Sequence, residues 1–174
     1  MTTGQEFPIF QKDLYELFGD PVEDADYLKV LDFSEFSYAF SHVRDFEGRH
    51  WKCRIYGHEL MADPLRKAFR LIVDRGLFDE LKTWDGCFNI RPVKGGSRPS
   101  THSWGLANDF NAATNPFSRE LITDLSDEFI KCFAESGFEW GGLWGHPYFD
   151  PMHFQLPLTR DWSTSDNPLA PKEA

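Results

Sequence analysis

The spacing of apolar residues in this chain changes from one short segment to the next and never settles into alternating strand and helix units. That irregularity argues against a doubly wound parallel sheet. It points to an α+β architecture, a small and mainly antiparallel sheet flanked by helices. Positions 10–18 read as one or two helical turns stopped by Gly19-Asp20-Pro21, and 27–33 and 51–56 read as short strands. Asp63-Pro64 opens a helix, with Asp63 as N-cap and Pro64 at the first helical position. Its apolar stripe is Leu65, Ala68, Phe69 and Ile72, and Gly76 ends it. Residues 87–91 read as a strand, and 92–100, with Gly95, Gly96 and Pro99, as a loop. A second helix is predicted over 118–136, where Leu121, Leu125, Phe129 and Phe133 recur every fourth position before Gly137.

A length of 174 residues suits one domain spanning 1–174, and 41% hydrophobic with 16% aromatic residues supplies a core. The polar stretch 159–174, with two prolines, reads as a tail that wraps or frays. A net charge of −10, with no basic run longer than two residues, makes nucleic acid a poor partner. Cys53, Cys87 and Cys132 are odd in number and widely spaced, so they form neither a disulfide framework nor a Cys-x-x-Cys clip, and are expected in a reduced core. The first residues lack the basic and apolar regions of a signal peptide, and no stretch nears the roughly 20 apolar residues of a membrane span. The expectation is a protein made and kept in the cytoplasm unless another agent releases it.

Two segments carry residues with chemistry to do. In the first, Ser100-Thr-His102-Ser-Trp-Gly105-Leu-Ala107-Asn-Asp109-Phe-Asn111, an extended chain would hold His102 and Asp109 roughly 23 Å apart. Gly105 is where the backbone can turn back and bring imidazole and carboxylate together. Ala107, Asp109 and Asn111 would then share one face of a strand, with the small Ala107 leaving room for an ion and its water. A loop histidine and a solvated aspartate would leave the same trace in this segment alone. In the second, Asp150 stands three residues before His153 in a stretch rich in aromatic residues. Two imidazole nitrogens and a carboxylate oxygen make a catalytic zinc shell with a fourth position open for water. Asp150 is then a spare carboxylate able to take a proton from that water.

The run Ser-x-His-x-x-Gly-x-Ala-x-Asp, followed by Trp-Gly-Gly-x-Trp and Asp-x-x-His-Phe, resembles the zinc D-alanyl-D-alanine carboxypeptidases and L-alanyl-D-glutamate endopeptidases. That family also includes D-Ala-D-Ala dipeptidases and many bacteriophage endolysins. The resemblance spans about residues 60–157 and implies a hedgehog/DD-peptidase-like zinc fold. It further implies one Zn2+ on His102, Asp109 and His153, with Asp150 as general acid and base. Many members place Glu where Asp150 stands, and many carry Glu where this chain has Gln155. Arg91 corresponds to an arginine used near the scissile carbonyl or a substrate carboxylate, and a guanidinium suits a developing oxyanion. Its alternatives are a surface salt bridge for Arg91 itself and Arg98 as the working cation.

Ser100 either bonds substrate or caps the strand, and Trp144, like Trp140, is either cleft wall or core. Glu139 rivals Asp150 as the base, but its distance along the chain from His153 favours Asp150. His146 is expected at a cleft edge, Asn108 and Asn111 in structural roles, and His42, His50, His58 and Cys53 outside any site. The implied substrate is the stem peptide of peptidoglycan, cut by a monomer of the endolysin type during host lysis. An anionic chain would bind anionic wall locally rather than be steered to it. A D-Ala-D-Ala carboxypeptidase or dipeptidase, and a non-catalytic zinc module that only binds, are the rival readings.

Overall fold

Residues 5–160 are described by a computed structural model, and within them the strands are short and the sheets small. β1 (Leu28–Asp32) pairs antiparallel with β3 (Arg54–His58), and β2 (Arg44–Asp45) pairs parallel with β4 (Thr83–Trp84). The third sheet has the order β5 (Ala107–Asp109), β7 (His153–Gln155), β6 (Glu139–Trp140), and β7 is antiparallel to both neighbours. The helices are α1 (Leu14–Phe18), α2 (Ala62–Asp74) and α3 (Asp127–Ala134). The α+β reading with a mainly antiparallel arrangement therefore holds. Among the described residues no helix is long and apolar enough to cross a membrane. The tail beyond residue 160, expected to wrap or fray, lies outside the described residues.

The stripe predicted for α2 is its buried face, since Leu65, Ala68, Phe69 and Ile72 have no exposed surface. Its start differs from the prediction. A 3-10 turn, Glu59–Met61, runs straight into the helix at Ala62, and Met61 rather than Asp63 is the cap residue. His58 Nδ1 already accepts the Leu60 N–H, so the chain is turning before Asp63, which sits inside the first turn where its charge suits the helix dipole.

The second helix is shorter than predicted. Ser126 Oγ accepts the Phe129 N–H at 3.1 Å and caps α3 there, held in turn by Glu80 Oε2 at 2.7 Å. Upstream, Ser118 exchanges both backbone bonds with Phe149, and Leu121 and Ile122 face solvent. The fourfold spacing there is not a helix face, because the backbone has partners elsewhere. Residues 87–91 also form no strand. Their donors go singly to the 3-10 turn Thr101–Trp104, Asn89 N to His102 O and Arg91 N to Ser103 Oγ. The 92–100 loop is as expected.

The core centres on Phe69, whose ring meets Phe33, Phe36, Phe40, Trp51, Phe110 and Phe133 edge-on. Phe133 on α3 packs at 4.3 Å on Phe154 of β7, which ties the third sheet to the core. Directly paired residues share a face of a sheet. Asn108, Phe154 and Trp140 therefore line the core side, and Asp109, His153, Gln155 and Glu139 line the other. The free thiols of Cys53, Cys87 and Cys132 are all buried.

Candidate metal centre

Gly105 closes the 3-10 turn that carries His102 with φ +66°, and a Cβ there would meet His58 N and Leu28 Cδ2 at 2.8 Å. Only glycine fits this reversal, which brings His102 back toward Asp109 on β5. Asp109 pairs directly with His153 across the sheet. His102 Nε2 and His153 Nδ1 lie 3.1 Å apart, and Asp109 Oδ1 is 3.3 Å from each. Asn111, expected on the same face, departs from it. Its φ of +53° ends the strand, and its side chain bonds the backbone of Lys82, Thr83 and Glu80. Asn108 points to the other face and receives the Trp84 indole N–H.

The hydrogen bonds around the two imidazoles fix where their protons sit. His102 Nδ1 is 2.7 Å from Cys87 O, which can only accept, so Nδ1 carries the proton and Nε2 presents a lone pair. His153 Nε2 donates to Gln155 Oε1 at 2.8 Å and leaves its own lone pair on Nδ1. Three electron-rich atoms thus face one another with His102 and His153 buried, and among the described residues Asp109 Oδ1 has no hydrogen-bond donor. Such an arrangement demands a cation. Ligands about 2.0–2.1 Å from a tetrahedral zinc stand roughly 3.3 Å apart, so these residues fit that ion.

The electrostatics agree. Burial opposes ionisation of Asp109, yet positive charge placed on the two imidazoles outweighs it and holds the carboxyl far below its usual range. Burial also opposes charge on His153, and the Asp109 carboxylate outweighs it, raising that imidazole's basicity. Both shifts express the same local demand for positive charge.

The centre lies between two cavities of about 320 Å³ each: His153 borders one with Arg91, Ser100, Trp144, Asp150 and Gln155, and His102 and Asp109 border the other, which Arg91 also reaches. Asp150 is buried and its Oδ1 has no partner among the described residues. Burial, reinforced by the Asp109 charge, pushes its carboxyl upward against the pull of His153. Glu139 lines neither cavity. Its carboxylate takes the N–H groups of Trp144 and Gln155 and both donors of Thr159.

Arg91 forms no ion pair among the described residues and bonds only the adjacent Pro92 O through its guanidinium, while Arg98 and Lys94 bring further cations to the cavity that Asp150 borders. Ser100 caps the His102 turn through Oγ and also borders the cavity. The two tryptophans separate. Trp140 is core, with its indole N–H on Pro151 O, whereas the Trp144 ring stands 5.0 Å from His153 as a cavity wall. His146 lies exposed at the rim. His42 bonds Leu81 O, remote from the centre in sequence, and Cys53 is core.

The motifs alone gave no role to Gln155, or to Glu139 beyond that of a rival base. The available signal was strand period, since a residue two after His153 must face the same way.

A family model described as D-alanyl-D-alanine carboxypeptidase matches residues 94–156. Comparison with curated proteins and with solved structures gives no match. The matched segment contains His102, Asp109 and His153, and Arg91 precedes it. Match and cluster together identify a zinc-dependent peptidase, similar over residues 94–156 to the D-alanyl-D-alanine carboxypeptidases.

Proposed function

We propose that this protein hydrolyses an amide bond in the stem peptide of bacterial peptidoglycan, as a phage endolysin of the L-alanyl-D-glutamate endopeptidase type. It is made in the cytoplasm, passes a helper pore, and opens the host wall at the end of infection. The observation that carries the chemical part is a buried carboxyl, Asp150, with one oxygen unpartnered among the described residues, bordering the same cavity as His153.

His102, Asp109 and His153 would hold one zinc, which when bound would supply Lewis-acid chemistry for the scissile carbonyl and the attacking water. Asp150 accepts the proton of the attacking water and returns it to the leaving amine; its burial favours a group that alternates between both forms. Arg91, free of any ion-pair partner among the described residues, turns its guanidinium to the oxyanion. Trp144 walls the peptide against the centre, and Ser100 offers a hydroxyl at the cavity edge.

Mass spectrometry of purified peptidoglycan, digested with and without chelator, tests this reading. New L-Ala and D-Glu termini that vanish with chelator are expected. The cationic cavity lining of Arg91, Lys94 and Arg98, with the family description, favours a second reading in which a free C-terminal carboxylate is held and D-Ala released. Blocking that terminus on a model peptide abolishes such an exopeptidase and spares an endopeptidase. Unchanged peptidoglycan in every digest would leave only a binding module.

A further inference from the structure

Gln155 follows His153 by two residues on the same face of β7, and its amide touches four groups. Its Nε2 lies 2.6 Å from Pro157 O and 3.2 Å from Glu139 Oε2. Its Oε1 lies 2.8 Å from His153 Nε2 and 3.2 Å from the Thr101 hydroxyl. We propose that Gln155 is a positioning residue, which Pro157 and Glu139 hold in the one amide orientation that fixes His153 with Nδ1 toward the metal. This inference rests on the zinc-site reading above.

The two ends of an amide are nearly alike in shape and opposite in chemistry. A backbone carbonyl and a carboxylate oxygen both demand donors, so the nitrogen end must face them. The oxygen end then faces His153, and an oxygen that cannot donate requires the imidazole proton to sit on Nε2. Acceptors compete for that single proton at both ring nitrogens: Gln155 Oε1 and, at 3.4 Å, the Thr101 hydroxyl oxygen at Nε2; Asp109 Oδ1 at 3.3 Å and the His102 Nε2 lone pair at 3.1 Å at Nδ1. By holding it at Nε2, Gln155 leaves the lone pair of Nδ1 for the ion. Fixing a ligand's tautomer through its other nitrogen is a recognised way to raise metal affinity.

Glu139 is what makes Gln155 different from a glutamate at this place. A carboxylate at position 155 would still accept from His153 through one oxygen, but it would set its other negative oxygen against both Glu139 Oε2 and Pro157 O. Glu139 is itself held by Trp144 and Thr159, so it cannot simply turn away. The pair therefore works as acid on β6 and amide on β7, joined directly across the ladder.

The test uses the full chain, with zinc affinity measured by competition against a chromophoric chelator, and 15N NMR of the His153 ring with and without zinc. Gln155→Leu should weaken zinc binding about 10–100-fold. It should also abolish the exchange-protected Nε2–H signal in the zinc form, and move the proton of the neutral metal-free ring to Nδ1. Gln155→Glu should weaken binding similarly, and Gln155→Glu combined with Glu139→Gln should recover about tenfold by exchanging acid and amide.

Zinc affinity of Gln155→Leu within about threefold of the parent, with the Nε2–H signal unchanged, overturns the proposal. If Gln155→Leu does not fold, a double variant that binds no better than Gln155→Glu overturns it instead. Neither readout involves hydrolysis, so the peptidase assignment and this one fail separately. Should the parent bind no zinc, the metal-free ring proton still decides the role of Gln155.

Discussion

Acid should weaken this fold through a histidine that takes no part in the centre. His58 is 2% exposed and sandwiched by Tyr27, stacked at 4.4 Å, and Phe18, edge-on at 4.5 Å. Its Nδ1 accepts the Leu60 N–H that begins the turn into α2, and Nε2 has no partner among the described residues. Burial pushes the imidazole down to about 4, against an ordinary 6.5. The folded form therefore binds a proton less readily than the unfolded form, and stability falls as pH drops through this window. The contribution is fully present above about pH 6.5 and is lost toward pH 4. Linkage with these two values gives a loss of about 2 kcal/mol between pH 7 and pH 5, and roughly 3 kcal/mol by pH 4. Urea unfolding of parent and His58→Gln at pH 7 and pH 5, both in excess chelator, isolates the effect. Carboxylates and metal ligands are common to both proteins and cancel in the difference. The parent should lose about 2 kcal/mol more than the variant over that interval. Equal losses, within about 0.5 kcal/mol, would refute the claim that this ring is buried neutral.

Asp150→Asn should lower kcat/KM by about 10²–10⁴-fold while zinc stoichiometry, read by elemental analysis, stays unchanged. Asp109→Asn should remove most of the thermal stabilisation that zinc confers. The parent gains about 4 kcal/mol at a zinc concentration roughly 1,000 times Kd, and a variant binding about 100-fold more weakly gains under 2 kcal/mol, which calorimetry resolves. Gly141→Ala should act on the base directly and on His153 at one remove, because a Cβ there would clash with Asp150 O, which accepts the His153 backbone N–H. An ångström-scale displacement of Asp150 should cost about 10²-fold in rate, with a smaller loss of zinc affinity passed on through His153, measured by paired turnover and titration assays.

What the sequence made legible was local. The His102–Gly105–Asp109 turn needed only a glycine at the reversal and a strand after it, and both are where the spacing put them. The stripe of α2 followed from period alone because all four of its residues face one core. The second helix misled because Leu121 sits at the right interval but spends its surroundings on solvent, while Ser118 pairs with Phe149, a partner 31 positions away that no local pattern announces. Residues 87–91 misled for a related reason. Their alternation is that of a strand, yet the neighbour offering acceptors is a 3-10 turn with no edge to ladder onto. Gln155 and Glu139 were named in sequence, but their meeting depends on β6 lying beside β7, which is a tertiary fact.

Because β7 presents the ligand His153 on one side and Phe154 on the other, shifting it by a single residue would bury an imidazole under Phe133 and hand the ion a phenyl ring. Change in length within that strand is therefore all or nothing. The connection over residues 145–148, between the Trp144 wall and the Phe149 pairing with Ser118, is under no such discipline, yet it supplies His146 and Tyr148 to the cavity mouth. Lineages descended from such a chain have room to reshape what enters the mouth by lengthening or trimming that connection, while the catalytic floor beneath it stays frozen.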